Sequence, residues 1–221
     1  MSSFVLKIIA VISMLFDHIG YTIFNKFSFM NYIGRFAFPI FAFQLTEGYS
    51  HTKDLKKYFF RLFLFAIISQ IPYMLFLTVS GASFNFNILF TLILGLLSIT
   101  IYEKSDNKYL GTLLVILCCI IAQCFYFDYG WFGIAVIFIF RLFKDKKWLM
   151  NLSFATIAFI NYFYKYIVTA KYEYLFIILF CILALIPINL YNGKKGKDTK
   201  YLLYIFYPLH LIILGLLKAI L

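Results

Sequence analysis

The sequence predicts an all-α fold: a polytopic transmembrane helical bundle of about nine spans, forming one integral membrane domain over residues 1–221. Three observations predict it. Hydrophobic residues make up 64% of the chain and charged residues 13%, against roughly 45–50% and about 25% in soluble domains. That excess has no place in a globule, which must cover its surface with polar groups. The apolar runs are continuous rather than alternating, which favours helices over a barrel. The Lys and Arg behind the formal net charge of +11 sit in the gaps between those runs, as in a membrane topology signal, and this pattern excludes nucleic acid as the expected partner.

Taken in order, the spans are expected at 4–24, 32–50, 58–78, 85–102, 109–127, 129–143, 148–168, 174–191 and 201–220. The first begins without a basic leader, and Asp17 and His18 interrupt it. It therefore reads as a retained span rather than a cleaved signal. The second loop carries Lys53, Lys56, Lys57 and Arg61, the fourth Lys104 and Lys108. The sixth carries Arg141, Lys144, Lys146 and Lys147, and the eighth Lys194, Lys195, Lys197 and Lys200. Odd loops hold little beyond Lys26, Lys165 and Lys171. Even loops are thus expected in the cytoplasm, with the N-terminus cytoplasmic and the C-terminus external. The sixth span is short and carries Gly130 and Gly133, yet it must cross if its flanking basic loops are to share one side. Cys118, Cys119, Cys124 and Cys181 all lie in apolar runs without metal-ligand spacing, and no metal is expected.

Ionisable residues at membrane depth cost roughly 2.5–3.5 kcal/mol each on insertion scales, so those kept in the spans are candidates for chemistry. Topology sorts them into two groups. The outer group holds Asp17 and His18 near the external end of span one, Arg35 at the start of span two, Asn85 and Asn87 opening span four, and Asp128 with Tyr129 in the fifth loop. Neighbours on a helix point about 100° apart. One of Asp17 and His18 is therefore expected to face the site, and the other to orient its neighbours by pairing with Arg35. In the functional reading His18 is a general base or transient group carrier, and Arg35 stabilises developing negative charge. The plainer alternative is an Asp–Arg clamp that packs two helices.

The inner group is Glu47, His51, Lys53, Lys56, Lys57 and Arg61. Glu47 and His51 share a face at i, i+4, and the nearby cations suit a phosphate-rich ligand. The positive-inside rule alone explains the same lysines. Between the groups lie Gln70 with Pro72 in span three, and Tyr207, Pro208 and His210 in span nine. Each proline frees a backbone carbonyl. Tyr207 and His210, three residues apart, fall on roughly one face near mid-membrane.

Several segments together resemble the TraX family of integral membrane proteins, named for the F-pilin N-terminal acetylase. They are Leu6-Lys7-Ile8-Ile9-Ala10 leading to Asp17-His18-Ile19-Gly20, and Gly34-Arg35-Phe36-Ala37-Phe38-Pro39-Ile40-Phe41-Ala42-Phe43. Glu47-Gly48 with His51-Thr52, Lys57-Tyr58 with Arg61, Asn87 before Phe90-Thr91-Leu92, and Tyr207-Pro208-Leu209-His210-Leu211 also match. The middle resembles the family in hydropathy and at Asp128-Tyr129-Gly130. Gln70 stands where the family pattern leads one to expect Glu before Ile-Pro.

The resemblance implies a membrane acyltransferase in the bacterial cytoplasmic membrane, multi-pass, moving an acetyl group from cytoplasmic acetyl-CoA as co-substrate. The acceptor it implies is an amine presented at the membrane, the pilin N-terminus being the family case; another membrane-presented peptide, protein or glycan, with an amine or hydroxyl as acceptor, is the wider expectation. It implies catalytic roles for His18, Asp17, Arg35 and His210, and acetyl-CoA contacts at Arg61, Lys57, His51 and Glu47. Asn87, Gln70, Tyr207 and Asp128 complete the polar set. The expected path for the acetyl group is a tunnel past Gln70 and His210. The competing expectation is a small proton-coupled transporter, which a mid-membrane histidine and broken helices also suit.

Overall fold

A computed structural model describes residues 1–24, 28–197 and 201–220, with nothing said of the Leu202 and Leu203 side chains. Lys26 and Lys200, counted in the charge pattern, lie outside the described residues. Among the described residues the named elements are all helices: α1 Ser3–Ile23, α2 Phe29–Gly34, α3 Ala37–His51, α4 Leu55–Val79, α5 Ile88–Lys104, α6 Lys108–Cys124, α7 Gly130–Leu142, α8 Lys147–Thr169, α9 Glu173–Leu183, α10 Leu185–Asn189 and α11 Leu202–Ile220.

Two expected spans are broken. The run expected at 32–50 divides into α2 and α3 around Arg35 and Phe36, and the run at 174–191 divides into α9 and α10 at Ala184. Proline causes both breaks. Its ring clashes with the carbonyl four residues back and it offers no N–H to that carbonyl. Four residues before Pro39 is Arg35; four before Pro187 is Leu183. Pro72 and Pro208 lie inside α4 and α11 without ending them.

Packed pairs close a ring in the order α1, α11, α4, α5, α7, α8, α9, α2 and back to α1, with α3 against α1, α5 and α7 in its interior. α6 packs outside, on α5 and α7. The interior place of α3 shows in its burial: Ala37 through Ala42 are all buried, with no outward stripe. The outer helices do have one. On α4, Phe60, Phe63, Leu64, Ile67, Ile68, Ile71, Met74 and Leu75 are exposed, spaced as one face of a helix. Among the described residues, α1 and α4 are the two helices long and apolar enough to cross a membrane by length and composition. α6, α7, α9 with α10, and α11 supply shorter apolar segments.

Caps set the helix starts. Asp54 opens α4 by accepting the Lys57 N–H at 2.9 Å, and Asn87 opens α5 by accepting the Leu89 N–H at 3.0 Å. The Asp54 carboxyl is held below its ordinary range by the backbone N–H of Lys57.

Candidate functional site

A cavity of about 600 Å3 opens among α1, α3, α4, α8, α11 and the loops between them. Its mouth lies at the ends of α4 and α8, where Ser80, Gly81, Ala82, Lys171 and Glu173 line it. Asp17, His18, Arg35, Asn85, Asp128 and Tyr207 line it as well, so one void gathers most of the outer group named from the sequence. Asp17 and His18 both face it, which the 100° argument did not anticipate. The space is wide enough to take two neighbouring side chains.

Asp17 is clamped from α2. Arg35 forms an ion pair with its carboxylate. Asn31 Nδ2 donates to Asp17 O at 2.8 Å and to Asp17 Oδ1 at 3.1 Å. Arg35 Nε in turn donates to the Asn31 carbonyl at 3.1 Å. Close approach of α1 and α2 makes this possible, and two glycines permit it. A Cβ on Gly34 would sit 2.4 Å from the Asp17 Cβ, and one on Gly20 would sit 2.6 Å from Asn31 Oδ1. The glycines of Asp-His-x-Gly and Gly-Arg are thus explained by the clamp they admit. Asn31 is fully buried and was missed in the sequence, where a lone Asn at a predicted span edge reads as a loop residue.

His18 reaches the opposite way. Its Nδ1 lies 2.7 Å from His210 Nε2, and His210 Nδ1 lies 2.8 Å from the Phe206 carbonyl oxygen. Phe76 meets the His18 ring edge-on at 4.8 Å and Phe206 stacks on His210 at 4.7 Å. His210 is 4% exposed, so α11 seats it behind His18 rather than in the cavity wall. Tyr207, one turn earlier, does line the cavity.

Asp128 arrives from the loop between α6 and α7. That loop is pinned to the one before α5: Asp128 N–H donates to Phe86 O at 2.9 Å and Phe86 N–H to Tyr126 O at 3.0 Å. Thr91 Oγ1 donates to Asp128 O at 2.5 Å. Tyr126 and Tyr129 take positive φ, 54° and 64°, a backbone region that costs a non-glycine residue of order 1–3 kcal/mol. The pins hold it. Enclosure pushes the Asp128 carboxyl up to about 6, although Arg35 pulls the other way.

Gln70 and Asn87 form a brace instead of lining the cavity. Asn87 Nδ2 donates to Ala66 O and to Gln70 Oε1, both at 2.8 Å. Asn87 N–H also donates to Gln70 Oε1 at 3.0 Å, and Gln70 Nε2 donates to Asn85 O at 3.0 Å. Together they tie the middle of α4 to the start of α5.

The inner group lies apart from the cavity. Glu47 and His51 pair at 3.8 Å, Lys57 pairs with Asp54 at 3.3 Å, and Arg61 lies over the rings of Tyr58 and Tyr204. Glu47 lines a second void, of about 470 Å3, shared with Lys144, Lys147 and Tyr191. Arg141, at the end of α7 beside this region, is held by Glu103 and Ser50.

These features define an apolar, all-helical protein of membrane type, organised around a polar cavity that holds a histidine pair and an Asp–Arg pair. Comparison with known proteins agrees with that class. The chain matches the family described as "TraX protein" over residues 2–218, and it belongs to the TraX family. It is 25% identical to a protein named "Probable fimbrial assembly protein FimC, serogroup H1" from Dichelobacter nodosus, with 96% of this chain and 94% of that one covered. No solved structure matches.

Proposed function

We propose that the protein is a membrane-embedded acetyltransferase that passes an acetyl group from acetyl-CoA to an amine presented at the membrane, in service of surface-fibre assembly. One observation carries the reading: His18, the Asp17–Arg35 pair and Asp128 line a single cavity. Acyl transfer to an amine needs a base for the amine proton and a donor for the charge that gathers on the carbonyl oxygen. His18 is the base and Arg35 the donor. Asp17 and Asn31 hold the guanidinium in place. Membership of the TraX family and the fimbrial name of the relative support the process.

Nine helical bodies would cross the bilayer, with α2 and α3 as one crossing and α9 and α10 as another. The N-terminus would lie in the cytoplasm and the cavity mouth outside. Acetyl-CoA would come from the basic inner side, and there the placement of Lys144 and Lys147 around a void favours that region over Lys57 and His51.

The test is thiol release. Purified protein in detergent, given acetyl-CoA and a peptide with a free N-terminus, is expected to liberate free thiol and N-acetylated peptide. His18→Ala is expected to lower the rate by at least about a hundredfold. No thiol release, together with solute uptake into proteoliposomes, would overturn the proposal in favour of a carrier.

A further inference from the structure

We infer that His210 is a positioning residue that fixes which nitrogen of His18 reacts; the inference rests on the acetyl-transfer reading of the cavity. The argument starts at the Phe206 carbonyl. A carbonyl oxygen only accepts, so the 2.8 Å contact from His210 Nδ1 requires the proton on that nitrogen. A neutral His210 then presents a lone pair at Nε2. The 2.7 Å contact with His18 Nδ1 is a hydrogen bond only if His18 carries its proton at Nδ1 and donates it. The His18 lone pair is left on Nε2. The two rings lie within 21° of parallel with centroids 4.9 Å apart, which the short N···N contact fills when imidazoles meet edge to edge.

The arrangement follows the logic of a base oriented by a second group on its far nitrogen, with a neutral imidazole where a carboxylate often stands. In the transfer step the acceptor nitrogen bonds to the acetyl carbonyl carbon as the carbon–sulfur bond breaks. The amine proton passes to His18 Nε2, and the sulfur leaves as thiolate. His18 is then an imidazolium whose Nδ1–H still points at an acceptor, His210 Nε2, until its Nε2 proton passes to the thiolate, which gives the free thiol and restores the neutral base. Phe206 packs on His210 and Phe76 on His18. His210 itself touches no reactant.

The protein has three histidines, so 15N-histidine NMR of the full chain in nanodiscs can be assigned with single variants. His18 is expected with Nδ1 protonated and Nε2 bare, and His210 likewise. A His18 signal with Nε2 protonated would overturn the inference whatever the reaction. Kinetics give the second arm. His210→Ala is expected to lower kcat for thiol release by about a hundredfold with KM for acetyl-CoA unchanged. His210→Gln, whose Oε1 can accept where Nε2 did, is expected to restore most of it. If His210→Leu restores as much as Gln, the residue only fills space and the inference fails. A wild type that shows the expected tautomers but releases no thiol defeats the transferase reading while leaving the tautomer assignment standing.

Discussion

Asp128 is the residue whose behaviour pH should expose most directly. Its loop lies outside the helices, and enclosure raises its carboxyl to about 6 against an unfolded value near 3.9. The folded state thus binds the proton more tightly than the unfolded one. The contribution favours folding below the lower value and is lost as pH rises between the two. Asp128→Asn should therefore flatten the pH dependence of Tm between about pH 4 and pH 6, and raise Tm above pH 6 relative to the wild type. Thermal unfolding in detergent, followed across that range, checks it. The other outer residues behave as partners rather than as isolated charges. Asp17 and His18 were legible from the sequence because a charge inside an apolar run stands out. Their partners were less so. Asn31 carries no charge, and the facing of His210 toward His18 depends on how α11 packs against α1, nearly two hundred residues apart in the chain.

At the scale of elements, hydropathy located the helices well, since the apolar runs and the helical segments nearly coincide. It did not locate the breaks at Arg35 and Ala184. All four prolines look alike in sequence, and whether a helix continues past one depends on what satisfies the freed carbonyl. The interior position of α3 was equally hidden. A helix apolar all round can face lipid or protein, and only its neighbours decide. Gln70 shows the opposite error. Read as a stop on an acetyl path, it is the acceptor for Asn87 and spends its other end on Asn85 O. Asn87→Ala removes the cap of α5, worth about 0.5–2 kcal/mol, and also strips buried partners from Ala66 O and Gln70 Oε1. The expected loss therefore exceeds that of a cap alone, and Tm should fall while the variant still folds at low temperature. Unchanged stability would show that the brace is redundant.

For the whole molecule, the outward faces of α4, α6 and α11 are apolar and the strongly basic loops recur at every second connection between the expected spans. On the two-sided reading those basic loops would share the cytoplasmic side and the loops between them would face outside. In a background with the native cysteines replaced, Ser83→Cys should react with a membrane-impermeant maleimide from outside intact cells. Asp145→Cys should react only after the membrane is opened. The reverse pattern would turn the protein over and place the cavity mouth in the cytoplasm.

The size of the cavity has a consequence for the electric field. On the two-sided reading, with its mouth outside, a void of about 600 Å3 has room for on the order of twenty waters, and a wet inlet of that size would carry the outer potential inward toward His18. Most of the membrane voltage would then fall over the thinner layer of protein beneath the histidines. A charge moved through that layer crosses nearly the full drop, about 2.3 kcal/mol per 100 mV, in a fraction of the bilayer's thickness.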